Sequence, residues 1–102
     1  MKVCVYGAGA IGAHLAVLLH DAGVDVSVIA RGAHLDAINA NGLKLIVKGE
    51  EKVARLPAVK EPSELGPQDY VIVAVKSHQA WESAEHMVPL LGPDTHVVTA
   101  QN

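Results

Sequence analysis

Apolar residues run almost unbroken through Val3-Cys4-Val5-Tyr6, give way to glycines at 7, 9 and 12, and then recur at Ile11, Leu15, Leu18 and Leu19. The first run reads as a buried strand. The spacing that follows draws one stripe along a helix, which is predicted to face the sheet. The helix is expected to stop near Asp21-Ala22-Gly23, with Gly23 placed for the left-handed position after the last turn. Val24 to Ile29 is β-branched and reads as a parallel strand beside the first. Residues 2 to 30 thus make one βαβ unit. A short helix follows over His34 to Ala40, with Leu35 and Ile38 inward, and Asn39-Ala40-Asn41-Gly42 ends it. Leu43–Val47 and Glu51–Leu56 read as two strands joined through Gly49, a hairpin inserted into the βαβ alternation. Pro57, Pro62, Ser63 and Pro67 mark a loop with one helical turn at 63–65. Tyr70–Val75 is the most hydrophobic run and is predicted to be a fully buried central strand. A helix is expected from about Gln79 to Leu91, with Trp81, Ala84, Met87, Val88 and Leu91 on one side and Glu82, Glu85 and His86 on the other. Gly92-Pro93-Asp94 closes it, and His96 to Ala100 forms a last strand.

The glycines between the first strand and helix spell G-x-G-x-x-G in the context that gives this motif meaning. Gly7 allows a tight turn off the strand. Gly9 leaves no Cβ where a pyrophosphate must approach the backbone, and Gly12 lets the helix pack closely on the sheet. Ala8, Ala10 and Ile11 complete the loop, and the helix N-terminus offers free N–H groups to phosphates. The expected fold class is therefore α/β: a Rossmann-type NAD(P)-binding fold, with a mostly parallel sheet and helices on both faces.

Cofactor choice turns on the residue after the second strand, where an NAD enzyme usually carries an acid for the ribose 2′-OH. Here it is Arg31. Asp25 sits at the wrong end of the strand and Asp36 in the next helix. A guanidinium at this position can grip a 2′-phosphate bidentately, which predicts NADP(H). Gly32 and His34 follow as further candidates for holding the phosphate.

Composition narrows the partners. Half of the 102 residues are apolar and 19% are charged, and the mean hydropathy is +0.25. One surface is therefore expected to be covered by a second domain, a second subunit such as that of a homodimer, or both. The net charge of -3, with dispersed cations, offers no stripe for nucleic acid or an anionic membrane. Val3 to Leu19 carries no full charge, but glycines break it and it is short for a membrane span. The single cysteine, Cys4, excludes a disulfide framework and fits a reduced, cytoplasmic setting. The six histidines never fall three or four apart on a helix, so no metal site is expected. Lys76 and Asn102 end strands on the same edge as the glycine loop, where open α/β sheets bind ligands. His78 lies beside Lys76, and Ser77 reads as a helix cap rather than a nucleophile.

Four motifs in order, Gly7-Ala8-Gly9-Ala10-Ile11-Gly12, Ala30-Arg31-Gly32 with His34-Leu35, Val75-Lys76-Ser77-His78-Gln79 and Gln101-Asn102, span the whole chain. Together they resemble the N-terminal portion of the ketopantoate reductase (2-dehydropantoate 2-reductase) family of pantothenate biosynthesis. The resemblance implies that Arg31 reads the NADPH 2′-phosphate, and that Lys76, Gln79 and Asn102 approach the cofactor. Lys76 and Asn102 would also reach the substrate pocket, as accessory groups. It implies reduction of a 2-keto acid, ketopantoate to pantoate, by hydride transfer. In that family the catalytic lysine and a substrate-binding glutamate belong to a helical C-terminal domain, which residues 1–102 lack. Residues 1–102 are thus expected to be an NADP-binding domain without catalytic residues of its own and without turnover. The alternative is a free-standing NADP(H)-sensing module that acts through a partner protein.

Overall fold

The computed structural model describes residues 1–75 and 85–100. It opens with β1 (Lys2–Tyr6), α1 (Ala10–Asp21) and β2 (Asp25–Ile29), the βαβ unit expected. β1 and β2 pair in parallel with Tyr6 beside Ile29. Gly23 ends α1 at φ +86, and its N–H donates to the His20 carbonyl at 3.0 Å, which satisfies a carbonyl of the last turn.

After α2 (Gly32–Asn41), β3 (Leu43–Val47) and β4 (Glu50–Ala54) form a separate two-stranded antiparallel sheet. Its turn is Lys48-Gly49, both with positive φ, as a tight two-residue hairpin requires. β4 therefore starts and ends earlier than the sequence pattern suggests.

β5 (Ala58–Val59), β6 (Tyr70–Val73) and β7 (His96–Thr99) complete a five-stranded sheet in the order β5-β2-β1-β6-β7. Every pairing in it is parallel. β5 lies where a proline-bounded loop was expected. It is an edge strand of two residues, a place where proline is tolerated, and the Pro57 carbonyl accepts from Val28 N–H at 2.9 Å. The helical turn expected at 63–65 is a 3-10 turn at Pro62–Glu64.

The two faces of the sheet carry two apolar clusters. Val5, Val26 and Val28 pack with Ala16 and Val17 of α1 and Ile38 of α2. Cys4, Tyr6, Ile29, Val71 and Val73 pack with Met87 and Leu90 on the opposite face. Helical segments thus cover both faces, as expected. The stripe on α1 differs from the predicted one. Its buried residues are Gly12, Ala16 and Val17, while Leu18 is 42% exposed. Leu19 of the predicted stripe does pack, partly buried, against the core cluster, and α1 also packs against β3 and β4.

Two further expectations change. In β6 only Val71 and Val73 are buried, whereas Tyr70 and Ile72 are half-buried. The helix expected to reach Leu91 gives way to a 3-10 turn at Val88–Leu90, since Pro89 cannot donate to a continuing helix. The turn rotates the inward set, so Met87 and Leu90 are buried while Val88 and Leu91 are exposed.

Candidate cofactor-binding site

Sequence order along the sheet reverses between β1 and β6. At such a switch point two crossovers leave in opposite directions and open a crevice at the carboxyl ends of the strands. Gly7, directly after β1, sits at that crevice. Its φ of +107 is one that side chains rarely adopt, and an added Cβ would lie 2.8 Å from the Val75 side chain. Gly7 N–H donates to the Ile29 carbonyl at 3.1 Å, which ties the loop to the end of β2. Ala74 N–H donates to the Tyr6 carbonyl at 2.9 Å, which ties β6 to the end of β1.

Gly12 is equally constrained: a Cβ there would fall 2.0 Å from the Gly7 carbonyl oxygen. Gly9 is not. It caps α1 with φ -69 and ψ -169, a conformation open to any residue, and a Cβ on it would meet nothing within 4 Å among the described residues. The fold accounts for Gly7 and Gly12, and the space over Gly9 faces the crevice. No side chain caps α1 and no acid sits in its first turn. Among the described residues its leading N–H groups therefore have no side-chain partner and are placed to meet an anion. Ala8 is buried in the core, Ala10 is exposed and Ile11 half-buried, so the loop shows the crevice mostly backbone.

Arg31 follows β2 by two residues, beside the Gly7–Ile29 hydrogen bond. It is exposed and caps α2 in an extended conformation with no side-chain hydrogen bond. Its guanidinium has no ion pair among the described residues. Gly32 has φ +64 and open space around it, so this glycine serves the turn into α2. His34 is exposed in the first turn of that helix. Asp25 begins β2 at the far edge, and Asp36 is exposed within α2. Lys76, Ser77, His78, Gln79, Gln101 and Asn102 lie outside the described residues.

Cys4 is fully buried, and burial pushes its thiol up to about 12 from 9.0, against a hydrogen bond with Ser27 that lowers it. Such a thiol is inert at neutral pH. A chain of side chains that the sequence did not signal lies beside the loop. The Tyr6 hydroxyl bonds His86 Nδ1, and His86 Nε2 lies 3.3 Å from a carboxylate oxygen of Glu61. The partners are 80 and 25 positions apart, so no local spacing could have revealed them.

The family model of ketopantoate reductase PanE/ApbA matches residues 3–102. A 2-dehydropantoate 2-reductase of Mesorhizobium japonicum is 52% identical over 103 residues, covering 100% of this chain and 32% of the relative. The crystal structure of a PanE/ApbA family ketopantoate reductase from Ralstonia eutropha JMP134 is similar at a TM-score of 0.92 and 36% identity. That match covers 100% of this chain and 34% of the other. D-mandelate dehydrogenase, solved with NADH and anilino(oxo)acetate, is similar at a TM-score of 0.89 and 31% identity, with 100% and 34% covered. The chain thus spans about a third of the length of the curated relatives it matches.

Proposed function

The chain belongs to the ketopantoate reductase family, and from that premise we propose that it is the NADP(H)-binding part of an enzyme that reduces a 2-keto acid, ketopantoate before others. The observation that carries this reading is Gly9. Nothing among the described residues needs a glycine there, whereas a pyrophosphate lying on the start of α1 does.

The residues divide the work of binding. N–H groups of the loop from Ala8 to Gly12 receive the pyrophosphate, and the tie from Gly7 to Ile29 keeps Arg31 at a fixed distance from it. Arg31, unpaired among the described residues, takes the 2′-phosphate. When bound, the nicotinamide supplies a hydride to the keto carbon, while the keto oxygen takes a proton. Lys76, Gln79 and Asn102 are assigned to the nicotinamide side of the crevice, with Lys76 and Asn102 toward the substrate, on the family resemblance. On the family resemblance, the proton donor and the group that grips the substrate carboxylate come from a helical domain outside residues 1–102, and on that reading residues 1–102 by themselves bind cofactor weakly and do not turn over ketopantoate. We place the enzyme in the cytoplasm on its lone buried thiol.

Arg31→Glu tests the cofactor assignment. Titration of NADPH and NADH should show NADPH preferred by the native protein and that preference lost or inverted in the variant. Equal affinity of the native protein for both nucleotides would overturn the assignment.

A further inference from the structure

Beside Arg31 stands an acid that does not pair with it. β2 and β5 run parallel with Ile29 beside Val59, and Ala30 N–H donates to the Val59 carbonyl at 3.0 Å. Arg31 and Glu61 each come two residues past that last pair, just beyond the ends of two strands that run about 4.8 Å apart. Both are exposed. An arginine and a carboxylate so placed have the reach to form an ion pair, and a carboxylate on the guanidinium would compete directly with a phosphate.

Glu61 is held elsewhere. Its carboxylate lies 3.3 Å from His86 Nε2, and the other ring nitrogen bonds the Tyr6 hydroxyl. Tyr6 is 6% exposed and meets the imidazole edge-on, with ring centroids 5.8 Å apart. In the tautomer that carries its proton on Nε2, the ring accepts from the Tyr6 hydroxyl at Nδ1 and donates to Glu61 at Nε2. The imidazole is thus anchored to the core strand that precedes Gly7, and the exposed acid is anchored to the imidazole. Lys60, adjacent to Glu61, does not replace this contact, since successive residues of extended chain point to opposite sides.

We propose that His86 is a positioning residue for cofactor discrimination, holding Glu61 away from Arg31 so that the guanidinium stays open to the 2′-phosphate of NADP(H). The inference rests on the reading of Arg31 given above.

Nucleotide titrations on the full chain test it, with NADPH and NADH measured on the same preparation so that any loss of folded protein cancels in their ratio. His86→Ala should weaken NADPH by about two- to fivefold, the worth of an exposed ion pair, and leave NADH unchanged. Glu61→Gln in the His86→Ala background should restore the native ratio, because the amide cannot compete for Arg31. His86→Gln, which keeps a side-chain donor for Glu61, should retain it. An unchanged ratio in His86→Ala, or no rescue by Glu61→Gln, overturns the role of His86 while leaving Arg31 as the phosphate reader. An Arg31→Ala variant that keeps the native NADPH preference overturns the underlying reading itself.

Discussion

A methyl group placed on Gly9 would meet nothing within 4 Å among the described residues, whereas one on Gly12 would sit 2.0 Å from the Gly7 carbonyl oxygen. The two substitutions should therefore separate folding from binding. Gly9→Ala is expected to melt at the native temperature and to bind NADPH at least about tenfold more weakly, since the methyl occupies the phosphate's approach. Gly12→Ala should lose about 3 kcal/mol or more of stability, because α1 must move off the sheet. Thermal melts beside titrations check both, and a Gly9→Ala protein with native affinity would remove the main support for a nucleotide at this loop. Cys4 gives a second test at this scale. The folded thiol holds its proton to about 12 while an ordinary thiol loses it near 9.0. Its contribution is therefore complete below about pH 9 and declines as pH rises toward 12, where the folded state binds more protons than the unfolded. The expected outcome is no alkylation of Cys4 at pH 8 in the native protein and one equivalent in denaturant; fast native labelling would contradict the buried placement.

The glycine loop, the first βαβ unit and the turn at Gly42 were legible in the sequence because each depends on neighbours a few residues apart. Elements shaped by distant contacts were not. β5 has two residues after Pro57, too few to show alternation, and it exists because β2 offers an edge to pair with. The stripe on α1 is only partly as expected: Leu19 packs against the core but Leu18 is exposed, because the Gly7–Gly12 approach selects small residues at the closest contact. Likewise, Tyr6, His86 and Glu61 meet only after the sheet and the segment after β6 have formed. The hairpin, by contrast, follows local rules, with one departure: Lys48 occupies a turn position at φ +51. A side chain with a Cβ is strained there, and asparagine tolerates the conformation best. Lys48→Asn should raise stability by about 0.5 kcal/mol, or roughly 2–4 °C in melting temperature. No gain by calorimetry would argue against that turn. Asp21 and Lys52 join α1 to β4 with an ion pair at 3.0 Å, both side chains about two-fifths exposed, so Asp21→Asn should cost under about 1 kcal/mol.

Across the whole chain, the site lies at one edge of the sheet, and the apolar surface implied by the composition lies at another. All four residues of β7 are exposed, with Val97 at 50% and Val98 at 47%. Among the described residues no strand pairs the outer edge of β7, and no helix is long and apolar enough to cross a membrane. We propose above that the crevice between β1 and β6 binds NADP(H) through the glycine loop and Arg31. Amide chemical shifts of isotopically labelled protein, followed by NMR as NADPH is added, address it most directly. The largest shifts should fall at Gly9, Ala10, Ile11 and Gly12 and at Arg31 and Gly32, with those of Arg31 and Gly32 much smaller for NADH. Saturable shifts confined to other surfaces, or none at the glycine loop, would contradict it.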